Sequence, residues 1–544
     1  MNALLDAFFG AHLPVLPVLL PLFTAALLLL SGDGGGQASH GGAQLRRARR
    51  ISLVSAVLGA LLAWRLFAEA AAGTLTVYPL GEWPAPFGIV LVVDRLSAMM
   101  LALTWTLAVP VLWYASGGWD AHGRYFHAVF HFQLMGLSGA FVTGDLFNLF
   151  VFFEVLLIAS YVLLVHGQGR ERFKAGVHYV VLNLAASALF LIGLAVVYAV
   201  AGTLNMADLA LRVAQLAPEQ AALFQVGALV LLVVFGLKAA IVPLYLWLPA
   251  TYAAAAAPVA ALFAIMTKVG VYSIVRVHGV LLGPEAGHAA LAAQPWLLPL
   301  ALATLALGVL GALAAHSLAR MAAYLTVASV GTILAGVGLF TPAALSASLY
   351  YMVHSTLVMA AMFLLVELVA AQRGDVRDHL QPAAPVAQPL LLGLMTLLAA
   401  ASVAGLPPLP GFLGKLMILE SAALTPAHTW VWAVVLVGGL LTLVGLARAG
   451  TILFWNTVPT AHAPAASGGS WRLTSATLGL LGLSLLLAVL ASPMKRYTDA
   501  AAAQLAERTT YANAVLAAQG GPAAATTRPY HGGEGEVRLP GAKP

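Results

Sequence analysis

The stretch Thr143-Gly-Asp-Leu-Phe-Asn-Leu-Phe-Val-Phe-Phe-Glu-Val-Leu-Leu-Ile-Ala-Ser-Tyr161 decides how this chain is read. It has the composition of a membrane helix, yet Glu154 stands inside it. A carboxylate at bilayer depth costs on the order of 2.5–3.5 kcal/mol even on lenient insertion scales. It requires a partner, a water-filled cavity or a proton. Three lysines in later apolar segments, Lys238, Lys268 and Lys415, pose the same problem with the opposite sign.

Working outward, the whole chain has the same character. Of 544 residues, 61% are hydrophobic and 8% charged, where an ordinary soluble protein is about 25% charged. Apolar runs long enough to span a bilayer recur throughout, so the fold class expected is an all-α polytopic membrane protein. Barrel strands would alternate apolar and polar residues in short segments, which these runs do not. Cysteine is absent, excluding disulfides, cysteine-ligated clusters and thiol chemistry. The net charge of +6 is modest and reports topology rather than a nucleic-acid partner. The first twelve residues carry no basic n-region, so the N-terminus reads as a span rather than a cleavable signal.

Roughly fourteen spans are expected, at 13–31, 51–71, 89–114, 125–144, 145–166, 178–201, 222–241, 258–279, 296–314, 318–340, 343–371, 386–424, 429–455 and 472–493. Gly144 and Asp145 mark a reversal between the fourth and fifth. Arg46, Arg47, Arg49 and Arg50, then Arg170, Arg172 and Lys174, then Arg373 and Arg377 all follow odd-numbered spans. The positive-inside rule puts these loops in the cytoplasm and the N-terminus outside. An even span count then puts the C-terminal segment outside too, despite Lys495, Arg496, Arg508, Arg528, Arg538 and Lys543. From about 517 the composition turns to Gly, Pro, Ala and Thr, the mark of a flexible tail.

Two segments are interrupted alike. Phe235 to Pro249 carries Pro243 and Pro249; Gly405 to Lys415 carries Pro407, Pro408 and Pro410. Proline removes a backbone donor, and interrupted backbone at membrane depth is tolerated where it is buried or lines a cavity. The breaks fall in spans 7 and 12, five apart, and each has a lysine. That spacing predicts two inverted repeats, spans 4–8 and 9–13. The domain plan is therefore 1–124 for the first three spans, 125–279 and 296–455 for the repeats, 472–493 for the last span and 494–544 for a polar tail.

The candidate ion sites are Glu154, Lys238, Lys268, His354 and Lys415. Lys238 is the expected partner of Glu154, since a desolvated lysine loses its proton readily and a carboxylate restores it. Lys268 has no carboxylate nearby in sequence and sits too far from its span ends to snorkel. His354, between lysine sites, is a natural relay because its pKa lies near neutrality, although a hydrogen-bonded core histidine is the alternative. Charges 8 Å apart at an effective dielectric near 20 couple by roughly 2 kcal/mol, about 1.5 pKa units, enough to bias a neighbour's proton. His127 and His131, four apart, read as structural or interfacial, with no third metal ligand in sight. Asp145 and Asn148 read as caps of the Glu154 helix, Asp94 and Arg95 as structural, and Arg448 remains open. No Walker loop, dinucleotide fingerprint or nucleophile elbow occurs, so no cofactor, resident metal or enzyme activity is expected, and energy must come from an ion gradient or a partner.

These residues carry a resemblance. The run at 143–161, Asp94-Arg-Leu-Ser-Ala-Met99, the Lys238 and Pro243–Pro249 break, Pro258 through Gly270, Ala404 to Lys415, and Arg508-Thr-Thr-Tyr-Ala-Asn-Ala-Val-Leu516 resemble the D subunit of Mrp-type sodium/proton antiporters. The family also contains the proton-pumping antiporter-like subunits of respiratory complex I. The family's glutamate falls on Glu154, its lysines on Lys238, Lys268 and Lys415, and its span-eleven histidine on His354. Met359 stands where relatives often have lysine, which casts doubt on a second charge there. Thr251-Tyr-Ala-Ala-Ala255 replaces the His and Glu of many complex I relatives. The resemblance implies a multi-pass subunit of a hetero-oligomeric complex in the bacterial cell membrane, contacting lipid, other subunits, sodium and protons. The implied activity is exchange of cytoplasmic sodium, or lithium or potassium, for external protons, contributing to pH homeostasis. The rival readings are a proton-pumping subunit of a redox complex and a largely structural subunit.

Overall fold

Without water to solvate the backbone, each apolar run must satisfy its own hydrogen bonds, and it does so as a helix. The computed structural model describes residue 10 and residues 12–32, 41–458 and 469–520. The first helices are α1 (Leu16–Ser31), α2 (Gly41–Ala71), α3 (Arg95–Ala115), α4 (Phe126–Val142), α5 (Leu146–Val165) and α6 (Arg170–Ala201). A short α7 (Met206–Val213) precedes α8 (Pro218–Ala239), α9 (Trp247–Ala254) and α10 (Ala257–Ile274), which runs into a π-helical turn, Val275–Leu281. There follow α11 (Gln294–Leu313), α12 (Leu318–Val337), α13 (Pro342–Ala370), α14 (Pro389–Ala404), α15 (Pro410–Ala422), α16 (His428–Gly450) and α17 (Trp471–Val489). Two more helices, α18 (Ala491–Ala506) and α19 (Arg508–Ala518), close the described chain.

Among the described residues, 11 helical stretches are long and apolar enough to cross a membrane, and α1, α4 and α14 are shorter apolar helices. Burial separates inner from outer elements. The helices α10, α12 and α13 are almost wholly enclosed, whereas α2, α6, α11, α16 and α17 show apolar flanks outward. The enclosed three carry Lys268, Ser329 and His354. Glycine brings this core together: a Cβ on Gly270 would lie 2.5 Å from the Ala239 backbone nitrogen, so α10 can press against α8 only because that side chain is absent.

Two expectations are corrected. The third span does not begin at 89. Val90–Val93 is a strand (β2) paired antiparallel with Thr76–Pro79 (β1), Val77 opposite Val92, and α3 starts at Arg95 under an Asp94 cap. Its apolar residues continue directly into the helix, so composition did not mark the boundary. Nor is 494–544 simply a polar tail: 491–518 is helical, and Tyr497, Ala501, Leu505, Tyr511, Val515 and Leu516 are buried. The tail from 521 onward lies outside the described residues.

The two terminal helices strap one end of the bundle. Tyr497 donates to the Arg95 carbonyl at 2.8 Å, and Gln504 accepts from the Arg95 N–H at 3.0 Å. Arg508 donates to the Leu281 and Glu285 carbonyls at 3.2 and 2.5 Å. Gln519 accepts from Asn205 at 3.1 Å and donates to Gly88 at 3.2 Å. Every loop captured here follows an even-numbered span or begins an odd-numbered one. The strap therefore shares a face with the 282–293 connection.

Candidate ion-translocation site

Glu154 lies mid-helix on α5, half-buried at the margin of the packed face. Ser187 of α6 donates to its Oε1. One turn earlier, Asn183 accepts from Lys238 Nζ at 2.9 Å through Oδ1, while its Nδ2 donates to the Tyr179 carbonyl at 2.8 Å. The expected contact between Glu154 and Lys238 is thus not a direct ion pair among the described residues. Two small polar side chains on one face of α6 stand between them. Lys238 also lies 5.9 Å from the centre of the Phe153 ring, whose face favours a cation.

Lys238 occupies the last turn of α8, where the helix dipole favours positive charge. Just beyond it the backbone leaves the helix. Ala240 takes a left-handed conformation at φ 64°. The freed Val242 N–H donates to Thr304 Oγ1 at 3.0 Å, and Trp247 Nε1 reaches back to the Leu237 carbonyl at 3.0 Å. Residues 244–246 form a single 3-10 turn before α9. The interruption at Pro243 is partly exposed, but the polar groups it frees are answered within the protein.

Lys268 is wholly buried in α10. Its nearest acceptors are hydroxyls, Thr267 Oγ1 at 3.3 Å and Ser329 Oγ at 3.5 Å. Ser329 lines a cavity of about 20 Å³ together with Thr332, Tyr351, His354, Ser355 and Lys415. Such a space suits a single water with polar partners. His354 is buried, and its Nδ1 has no partner among the described residues. Met359 also lines this cavity, so no second charge enters it from α13.

At the second interruption the helix stops at Ala404, the Gly405 and Leu406 N–H groups both return to the Ala401 carbonyl at 3.0 and 2.9 Å, and α15 begins at Pro410. Lys415 Nζ donates to the carbonyls of Ala404 at 2.9 Å and Val403 at 3.2 Å. These belong to the last turn of α14, which has no further N–H of its own to accept. Gly411 makes the approach of the two halves feasible: a Cβ there would fall 1.9 Å from the Ser402 carbonyl and 2.8 Å from His354 Nε2.

The remaining polar groups sort themselves apart from this track. Asp145 caps α5 by accepting the Asn148 N–H at 2.8 Å. Asn148 in turn donates to Thr143 Oγ1 at 3.0 Å, so both residues serve the cap. His127 and His131 bind separately, to Asp120 at 3.0 Å and to Ser52 at 3.0 Å. Asp120 also takes a forked pair from Arg49 at 2.6 and 2.7 Å. Burial alone would raise the Asp120 carboxyl, but the Arg49 and His127 bonds outweigh it and hold it below the ordinary carboxylate range. Arg448 is exposed and donates to the Leu313 carbonyl at 3.5 Å.

Several partners were not singled out from sequence. Asn183, Ser187 and Ser329 carry no charge, and small polar residues are ordinary in membrane helices, so nothing in the pattern flags them. Arg276 pairs with Asp94, Nη2 donating to Oδ1 at 2.6 Å and Nη1 lying 2.5 Å from Oδ2. A signal existed here: a charged residue inside an apolar run demands a partner, and Asp94 was available.

The fold is a helical membrane bundle with lysines at two interrupted helices, beside hydroxyls, an amide and a histidine. The chain belongs to the NADH:quinone oxidoreductase/Mrp antiporter transmembrane family, whose model matches residues 143–442. It is 41% identical to the D subunit of a probable K(+)/H(+) antiporter of Rhizobium meliloti, over 93% of this chain and 98% of that one. It is 36% identical to the D subunit of the Na(+)/H(+) antiporter of Alkalihalophilus pseudofirmus, over 93% and 99%. Among solved structures, a chain of the Mrp complex from Dietzia sp. superposes with a TM-score of 0.80 at 27% identity, covering 93% of this chain and 99% of that chain. A chain of respiratory complex I from Thermus thermophilus, 24% identical with a TM-score of 0.75 over 91% and 99%, shares the fold.

Proposed function

We propose that this chain is the D-type membrane subunit of a multisubunit monovalent cation/proton antiporter, a secondary transporter rather than an enzyme. It carries protons along Glu154, Lys238, Lys268, His354 and Lys415. The observation that carries the reading is two sets of buried and half-buried groups: carboxylate, hydroxyl, amide and ammonium at the first break, and hydroxyl, water-sized cavity, histidine and ammonium at the second. Each lysine has neutral acceptors instead of a fixed carboxylate, so none is locked in the charged state. Protonation of one group biases the next through a few kcal/mol of coupling. The relatives named as D subunits of sodium/proton and potassium/proton antiporters support this reading and make the exchanged cation sodium or potassium.

The two halves, 125–279 and 296–455, form inverted repeats, each with a lysine at its break. The complex lies in the cell membrane with the arginine-rich loops in the cytoplasm. Both ends of the chain then lie outside, and the exchange contributes to pH homeostasis. The deciding measurement is antiport in everted vesicles from cells lacking sodium-exporting activity, with the whole complex and sodium or potassium as the test cation. Glu154→Ala and Lys238→Ala each should abolish exchange while the complex still assembles. Full exchange by either variant would overturn the track.

A further inference from the structure

A second feature lies on the other side of α13, away from the cavity at His354. There α2, α3, α13, α17 and α18 leave an elongated apolar groove of about 360 Å³, lined by Trp64, Met99, Ala102, Val353, Leu487 and Tyr497 among others. The lining residues of α3 run from Met99 to Thr106, about 10 Å of helix. That is most of one leaflet's hydrocarbon depth, about 15 Å. The groove lies in the half of the bundle that carries the terminal strap, since Pro493, Met494 and Tyr497 of α18 line it.

Arg95 lies one helical turn beyond Met99, the first α3 residue to line the groove. Arg95, Met99, Ala102 and Thr106 fall on one stripe of α3 at helical spacing. Arg95 is the first residue of that helix, and helical side chains lean toward the N-terminus, which points its guanidinium past that end of the groove. A Cβ on Gly73, just past α2, would lie 3.5 Å from Arg95 Nη2. Tyr497, which lines the groove, stacks on Phe67 at 4.2 Å and donates to the Arg95 carbonyl. The Arg95 side chain itself enters no hydrogen bond or ion pair among the described residues, and its Nε is buried without a partner. A cation at the N-terminal end of a helix stands at the wrong pole of the dipole. It calls for an anion, and guanidinium matches phosphate in particular.

We propose that this groove is a binding site for an anionic phospholipid, its phosphate on Arg95 and one acyl chain laid along Met99, Ala102 and Leu487. Val353 and Leu357 line the groove while His354 between them faces the opposite cavity, so the bound chain packs on the helix that carries His354. The site does not depend on the transport reading, because lipid retention is measured directly.

The test uses the intact complex in nanodiscs and native mass spectrometry, with phosphatidylglycerol and phosphatidylcholine as probes. Phosphatidylglycerol should be retained about tenfold more than phosphatidylcholine, the worth of one charge-assisted contact. Arg95→Gln should erase that preference and Arg95→Lys should keep part of it. Ala102→Phe, which fills the groove and leaves the charge, should expel both lipids even if Arg95→Gln does not fold. Equal retention of the two lipids by the unaltered complex would overturn the proposal. So would unchanged retention by Ala102→Phe, or a photocrosslinker at Thr106 that captures another subunit instead of lipid.

Discussion

The two interrupted helices resemble each other in sequence and differ in how they hold their lysines. At the first, Lys238 precedes the break and is answered by a side chain, Asn183 Oδ1, on a different helix. At the second, Lys415 follows the break and is answered by backbone, the carbonyls of Val403 and Ala404. A side-chain acceptor can move with its surroundings, and here it lies one turn from Ser187, which donates to Glu154. A backbone acceptor is fixed by the fold. The first lysine is therefore positioned to respond to a neighbouring charge, and the second to hold one position whatever its neighbours do.

Packing at the two breaks differs in the same sense, and it gives the largest expected effect. Gly411 has no room for a methyl group: the Ser402 carbonyl is backbone, so no rotamer change relieves a 1.9 Å contact. Gly411→Ala should force α15 away from α14 and displace Lys415 from its carbonyls. Overpacking of this kind costs about 1–3 kcal/mol. We expect a lower melting temperature for the purified complex and antiport below a tenth of normal. Retained exchange would mean that the second break tolerates displacement and is not the rigid member of the pair.

Next comes the acceptor of the first lysine. Asn183→Ala leaves a buried ammonium without its bond, and antiport should fall roughly tenfold, equivalent to the ~1.5 kcal/mol of a charge-assisted hydrogen bond. Asn183→Asp should keep the fold but shift the pH dependence of exchange, because a carboxylate beside Lys238 favours its protonated form. No single side-chain substitution can do the same to Lys415, whose acceptors are backbone. The corresponding change there is Lys415→Gln, whose amide still donates to the two carbonyls. Melting should be unchanged, but exchange should fall as far as in Gly411→Ala, because the amide keeps both bonds and carries no proton. A loss of only a few-fold would take Lys415 out of the track.

This asymmetry also marks how far the sequence could be read. Glu154, Lys238, Lys268 and Lys415 were legible because each violates the composition of its segment, and a charge in hydrocarbon is costly enough to need a reason. The prolines were legible for the same kind of reason, a missing donor. What joins the charges was not. Asn183, Ser187 and Ser329 cost little where they stand, and their importance comes only from which helices pack together. Assuming that opposite charges meet put Glu154 against Lys238; in the fold, α6 separates them with two polar side chains. The terminal helices escaped for a different reason. The 491–518 segment is alanine-rich and weakly apolar, so its burial depends on loops captured from distant parts of the chain.

The smallest expected effect tests the comparison from its permissive side. Gly236 lies in the last turn of α8, two residues before Lys238, much as Gly411 lies four before Lys415. A Cβ at Gly236 would meet Ile241 Cδ1 at 3.5 Å, an ordinary contact with the end of a flexible side chain. Its φ is not in the left-handed region, so alanine adopts the same backbone. Replacing an interior helical glycine by alanine stabilises by roughly 0.5–1 kcal/mol through lost freedom in the unfolded chain. Gly236→Ala should therefore melt slightly higher and exchange ions at the normal rate. If it instead stalls exchange with melting unchanged, the first break requires backbone freedom at Gly236. The responsive element would then be the α8 backbone itself rather than the Asn183 and Ser187 side chains that stand between Lys238 and Glu154.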